Sequence, residues 1–417
     1  MYLPSRPWIA AASTRAVIAA LEAKGGPGCA RFVGGCVRDT LLARDGPDLD
    51  IDIATRLTPP EVIAALQAAG LKAVPTGVEH GTVTAVAQGR PFEITTLRRD
   101  VETDGRRAVV AFTQDWAEDA ARRDFRLNAL YADPDGRLHD PTGGGVDDAQ
   151  AGRIVFVGEP SMRIVEDYLR ILRFFRFYAA YGQGAPDAAG LAACAQHRQG
   201  LLGLSGERTA KELLKLLSPP DPRAAVAAMT ETGVLGVLLE GAGDVARLSG
   251  LIEIEGDAPA PEHAPDPVLR LAALLPDDRA GVLAATGRLR LANATRDRLL
   301  AACSDGGAIT ADLSPKAARA AIYRLGRATF TDRVKLGWAR APSQASAAWA
   351  ALLTLAQSWT PPPFPLNGGD IKALGVSEGP KVGALRAALE AWWIAQDFAP
   401  DRAAALAELR ARVGRLD

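Results

Sequence analysis

Along the first 150 residues, short apolar runs at Arg31–Val33, Ile51–Ala54, Thr82–Ala87 and Phe92–Leu97 alternate with polar turns. Runs of that length between turn residues predict strands, whereas Pro60–Ala69 carries the wider spacing of a helix. A mixed α/β domain is expected there. From Ile164 onward the pattern changes to long Ala-, Leu- and Arg-rich stretches broken by Pro and Gly, with few plausible strands. This part reads as a helical array, so the fold class is α+β. Clustered prolines cannot continue a helix, and breaks are expected at Ser218–Arg223, Gly256–Pro267 and Ser358–Pro365. There is no fixed-period repeat, and the Ala-rich stretches suit compact helix packing better than a coiled coil.

Composition narrows the class. With 417 residues, 48% hydrophobic and 23% charged, the chain is an ordinary folded protein long enough for roughly two to four domains. A net charge of −1 lacks the basic excess of a general nucleic-acid binder, so any RNA contact must come from local patches. Cys29, Cys36, Cys194 and Cys303 lie far apart, as do His80, His139, His197 and His263, which argues against a zinc site or a disulfide framework. The start has no apolar signal core and no later run could span a membrane, so a cytoplasmic location without membrane contact is expected.

The candidate chemistry begins at RFVGGCVRD, followed by DLDID. Gly34 and Gly35 let backbone N–H groups approach a triphosphate, and Arg38 supplies charge-assisted hydrogen bonds to it. Asp50 and Asp52 flank Ile51 on a β-type segment, where alternate side chains share a face. Two adjacent carboxylates repel unless a divalent cation neutralises them, and Mg²⁺ uses one or two carboxylates plus substrate phosphates. A solvated acidic turn through Asp48, Asp50 and Asp52 is the plainer alternative, weakened by the nearby GGCVRD. Glu93, opposite the face of Phe92, completes a three-carboxylate site if its strand lies beside the Asp52 strand. In DAARRDFRLNAL, Arg122, Arg123, Asp124 and Asn128 are expected to enter a helix that supports a phosphate site, with plain surface charge as the alternative.

In VEDYLRILRFFRFYAA, Asp167, Arg170, Arg173 and Arg176 recur every third residue, forming a slowly winding row on one expected helix. So many charges amid apolar surface are costly unless paired or functional. A carboxylate accepts from exocyclic amines and a guanidinium donates to ring nitrogens or carbonyls, so Asp167 and Arg170 can read a base edge. An internal salt bridge is the alternative. In SGERTAKELLKLL, Ser205 is expected to cap a structural helix supported by an Arg208–Glu212 pair.

Taken together, VGGCVRDTLL, DLDIDIAT, FEITTLRRD, RRDFRLNAL, DPTGGGVDD, EDYLRILRFFRF and GERTAKELL resemble, in order, the bacterial class II tRNA nucleotidyltransferase and poly(A) polymerase family of the polymerase-β-like superfamily. The resemblance covers about the first 215 residues. It implies a catalytic nucleotidyltransferase head over residues 1–150, a helical neck that reads the base over 151–220, and a helical body and tail over 221–417 that grip tRNA. By the same resemblance Gly34, Gly35, Arg38, Arg123 and Asn128 bind the nucleotide, Asp50 and Asp52 hold Mg²⁺ with Glu93 as third acid, and Asp167 and Arg170, supported by Arg173 and Arg176, template the base. Arg126 stands where the family commonly has Thr, DPTGGGVDDA carries an extra Gly, and Ala149 takes a usual Leu position.

The implied reaction is attack of a tRNA 3′-hydroxyl on the α-phosphate of CTP or ATP, with loss of pyrophosphate and no protein partner required. A poly(A) polymerase and a CC-adding or A-adding enzyme are the near alternatives. GVEHGTVTAV, between the acidic pair and Glu93, favours the tRNA enzymes. A nonenzymatic RNA-binding protein would not need the carboxylates, and a Rossmann dehydrogenase would need G-x-G-x-x-G. The segment Asp100–Asp115, with Gly105 as hinge, is a candidate mobile element for the change from CTP to ATP, an ordinary hairpin being the alternative.

Overall fold

The computed structural model describes residues 1–47, 49–104, 107–241, 245–256, 265–303, 309–376 and 379–414, and the side chains of 100–110 are left aside. Two compact units divide at Glu240/Gly241.

The first unit is built on a seven-stranded sheet. Its strands are β1 (Ala30–Val33), β2 (Asp52–Thr55), β3 (Lys72–Gly77), β4 (Thr82–Ala87), β5 (Arg90–Thr96), β8 (Tyr131–Ala132) and β9 (Leu138–His139), in the order β3-β4-β5-β2-β1-β8-β9. β2 and β5 run parallel, and the other pairs are antiparallel. All four expected apolar runs are strands, and alternation decides their faces: Phe92, Ile94 and Thr96 are buried while Glu93 is exposed. A separate antiparallel ribbon pairs β6 (Arg98–Asp104) with β7 (Arg107–Phe112), which accounts for much of Asp100–Asp115, although Gly105 lies outside the described residues.

Helices Pro160–Glu166, Leu169–Tyr181 and Gly206–Leu217 follow. The Leu169–Tyr181 helix buries Phe174 and Phe177 against Phe125 and Phe156, with Phe156 and Phe174 stacked at 5.7 Å and Phe125 and Phe177 edge-on at 5.3 Å. Four buried rings at this junction fix the helix to the bridged segments that carry Phe125 and Phe156, since aromatic pairs add about 1 kcal/mol each beyond their burial.

The second unit is helical throughout its described residues, from Val245–Gly256 to Arg402–Val413. The expected break at Ser218–Arg223 separates helices ending at Leu217 and beginning at Arg223. That at Ser358–Pro365 separates a cluster around Ile322, Phe330 and Leu352 from one around Ile371, Leu389 and Leu409. The break at Gly256–Pro267 falls largely outside the described residues, and Asp266 caps the helix that follows it. Among the described residues no helix is long and apolar enough to cross a membrane.

Candidate active site

β2 begins at Asp52, so Asp50 and Ile51 lie just ahead of the strand, with Ile51 buried and Asp50 exposed. Parallel pairing sets Asp52 opposite Glu93, and the Glu93 N–H donates to the Ile51 carbonyl at 3.2 Å. The condition for a three-carboxylate neighbourhood, that the Glu93 strand lie beside Asp52, is therefore met. Burial, then Glu93 and Asp50, push the Asp52 carboxyl up to about 6 against the opposing pull of Arg123. Among the described residues no three His, Cys, Asp or Glu side chains converge into a ready-made metal cage. The carboxylates are Coulombic neighbours, and a cation that draws its remaining ligands from water and phosphate fits such a surplus of negative charge.

Gly34 follows β1 directly, and its φ of +73°, which suits glycine, turns the chain into helix Gly35–Leu41. One turn along, Arg38 is buried, donating from Nη1 to Asn128 Oδ1 at 2.5 Å, from Nη2 to the Tyr181 hydroxyl at 2.6 Å and from Nε to Asp39 at 2.9 Å. Its guanidinium also lies 4.1 Å from the Tyr181 ring centroid. Asn128 in turn donates to Asp124 at 3.1 Å, and Asp124 accepts from Arg173 at 2.7 Å. Against the effect of burial, Arg173 and Asn128 hold the Asp124 carboxyl below the usual range. A continuous polar chain thus joins Arg38 to the Arg173 helix.

Arg122 and Arg123 do not precede a helix. They follow helix Trp116–Ala121, and only a three-residue 3₁₀ turn, Arg126–Asn128, comes after them. The reason is Asp119, almost wholly buried, which accepts from Arg122 at 2.7 Å, from Arg123 at 3.1 Å and from the Tyr131 hydroxyl at 2.6 Å. Burial alone would raise the Asp119 carboxyl, but these partners bring it down to about 2. The result holds an Arg123 nitrogen 3.8 Å from where a Cβ on Gly34 would stand.

The charged row also departs from expectation. The helix breaks at Asp167, whose extended backbone separates Pro160–Glu166 from Leu169–Tyr181 and whose Oδ1 accepts from the Leu169 N–H at 3.1 Å. The carboxylate therefore stands ahead of a helix start rather than within one. Asp167 and Arg170 do not pair: Asp167 accepts from Arg208 at 2.7 Å, while Arg170 donates to the Arg163 carbonyl at 2.7 Å and pairs with Glu166. Ser205 does cap the next helix, but the Arg208–Glu212 pair is absent, because Glu212 is buried against Arg176 at 2.9 Å and Arg173 at 3.9 Å.

A cavity of about 520 Å³ gathers much of this. Gly34, Gly35, Arg38, Asp52, Arg123, Asn128, Arg173 and Arg176 line it, whereas Asp50, Glu93, Asp167 and Arg170 do not. Sequence reasoning missed Asp119, Phe177, Tyr181 and Lys215. Asp119 was signalled by its spacing of three and four residues to the two arginines. Nothing local pointed to Tyr181, which meets Arg38 across 143 residues. Two of the departures from the family pattern, Arg126 and the glycine loop of DPTGGGVDDA, meet each other: Asp140 accepts from the N–H groups of Gly143, Gly144 and Gly145, and the loop packs on Arg126.

Residues 30–155 match the model of the Poly A polymerase head domain, and residues 187–244 match that of the "Probable RNA and SrmB- binding site of polymerase A". The mitochondrial CCA tRNA nucleotidyltransferase 1 of Homo sapiens is 34% identical over 385 residues, spanning 87% of this chain and 82% of that protein. Its Danio rerio counterpart is 42% identical over 190 residues, 45% of this chain and 43% of its own length. The Bacillus stearothermophilus CCA-adding enzyme, solved in complex with CTP, has a TM-score of 0.78 at 26% identity, covering 99% of both chains. By head, helices and near full-length similarity, the chain belongs to the CCA tRNA nucleotidyltransferase family.

Proposed function

We propose that this chain transfers CMP and AMP from CTP and ATP to the 3′ end of tRNA, building or repairing its CCA terminus. The observation that carries the reading is one cavity with an acidic strand edge at Asp52, beside Glu93, and a wall of arginines at Arg38, Arg123, Arg173 and Arg176. A triphosphate needs the second, and a metal-assisted attack by a hydroxyl needs the first.

In this reading Arg38, Arg123 and the backbone at Gly34 and Gly35 bind the triphosphate, and Asn128 orients Arg38. Asp50 and Asp52, with Glu93 beside them, would hold Mg²⁺, which when bound lowers the pKa of the attacking hydroxyl and stabilises the leaving pyrophosphate. Asp167 and Arg170 read the base edge, and Arg173 and Arg176 carry the row into the cavity. Residues 1–150 then form the catalytic head, 151–220 the neck and 221–417 the tRNA-holding body and tail. The RNA-binding match over 187–244 supports the assignment of RNA contacts to the helical part. Four free, buried cysteines suit a reducing compartment, which we take to be the cytoplasm.

The test is product length. With tRNA lacking CCA and both CTP and ATP present, three added residues are expected at single-nucleotide resolution. A long adenylate ladder would establish a poly(A) polymerase, and arrest after CC, or addition only to tRNA ending in CC, would establish a partial enzyme.

A further inference from the structure

The helix Gly206–Leu217 turns Arg208, Glu212 and Lys215 toward the charged row, at the spacing of one helical face. Arg208 takes Asp167, Glu212 takes Arg176 and Arg173, and Lys215 lines the cavity. We propose that this helix backs the base-reading row and that Arg208 is a specificity-determining positioning residue, acting through Asp167. The proposal rests on Asp167 reading the base.

Stability gives the Arg208–Asp167 pair little purpose. Its side chains are 41% and 28% exposed, and pairs that open to water contribute little to stability. Orientation is a different matter. Asp167 Oδ1 accepts from the Leu169 N–H and Oδ2 from Arg208, so both oxygens are fixed in direction while each keeps a second lone pair. A fixed, ionised carboxylate accepts from the exocyclic amines of cytosine and adenine. It repels the carbonyl oxygens that uracil and guanine present at the same edge. Without Arg208, among the described residues the Leu169 N–H alone holds the Asp167 side chain, and the carboxylate is free to turn toward Arg170, three residues on, or Arg173, whose charge already feels it. The reader would then collapse into an internal salt bridge and stop excluding UTP and GTP.

The experiment measures kcat/KM for CTP and UTP on tRNA lacking CCA, using the full chain and its Arg208→Ala, Arg208→Lys, Asp167→Ala and doubly substituted variants. Expected are a fall of about tenfold in CTP-over-UTP preference for Arg208→Ala and substantial rescue by Arg208→Lys. In the Asp167→Ala background, Arg208→Ala should add no further loss of preference. Wild-type preference in Arg208→Ala, beside lost preference in Asp167→Ala, would overturn the proposal and leave the base-reading assignment standing. Equal losses for CTP and UTP would show a merely structural role and overturn it too. Unchanged preference in Asp167→Ala would overturn the assignment beneath it. Should Arg208→Ala fold poorly, Arg208→Lys and Arg208→Gln decide by the same ratio.

Discussion

On the acidic edge of the cavity Asp52 faces Glu93 and Asp50, and its own carboxyl is pushed upward by them and by burial. On the opposite wall Arg173 is tied to Asp124, Arg176 to Glu212, Arg123 to Asp119 and Arg38 to Asp39, with Tyr181 and Phe177 covering the guanidinium faces. The wall that would meet an anion is already neutralised and held in place by its own protein. The edge that would meet a cation carries a repulsion that Arg123 offsets only in part. In the proposed reading one side is preorganised for phosphate, whereas the other stores a cost that a bound cation would relieve.

The largest effect that sharpens this contrast belongs to Asp52→Asn. Transfer should fall on the order of a thousandfold, the scale of losing a principal electrostatic contact. Stability should move the other way. A carboxyl raised to about 6 in the folded chain, above its unfolded value, destabilises that chain when ionised at pH 7, and the cost shrinks as pH falls below about 6 and is gone below the unfolded value of 3.8. Removing it is worth up to about 3 kcal/mol. Thermal melting in chelator should therefore show an equal or higher Tm for the variant, and added Mg²⁺ should raise Tm in the wild type only. A lower Tm or near-normal turnover would break the comparison on its acidic side.

Asp119→Asn should have the opposite sign. Taking one charge from a buried, paired set costs about 3 kcal/mol, and transfer should fall with it because Arg123 loses its anchor. The native carboxyl sits at about 2, below its unfolded value, so its stabilisation is present above about pH 4 and is lost as pH falls through 2. Denaturant titrations of both proteins between pH 7 and pH 2 should converge at the acid end. Parallel curves would remove Asp119 from the account.

Tyr181→Phe is the smallest change, keeping the ring over Arg38 and removing only the hydroxyl. Losing one acceptor for a charged donor should raise KM for nucleotide about fivefold with little change in kcat. An equal drop in kcat for every substrate would mean that the hydroxyl serves folding alone.

The contrast was only partly legible beforehand. Asp52 and Glu93 stand in short strands whose two-residue alternation can be read locally, with Asp50 just ahead of the first, and one parallel pairing then sets Asp52 opposite Glu93. The arginine wall is a tertiary product. Glu212 satisfies the local spacing rule toward Arg208, yet burial beside two arginines of another helix outweighs an exposed pair of a few tenths of a kcal/mol. The break at Asp167 hides inside a strongly helical pattern. Its one local sign is an acidic residue two positions before Leu169, where a side chain can take the Leu169 N–H.

The loop around Asp140 carries a consequence for how the chain can change over evolutionary time. A Cβ at Gly145 would sit 2.5 Å from the Arg126 carbonyl oxygen, a backbone atom that no substitution at 126 removes. A Cβ at Gly144 would meet the Arg126 side chain, nearest at its Nη1, 3.1 Å away. Position 145 is therefore closed along every mutational path that keeps this backbone. At position 144 the flexible Arg126 side chain need give by only a few tenths of an ångström, and the contact vanishes where a shorter Thr stands at 126. Position 126 can therefore change without position 144, whereas a side chain at 144 is accommodated most readily after the arginine has gone.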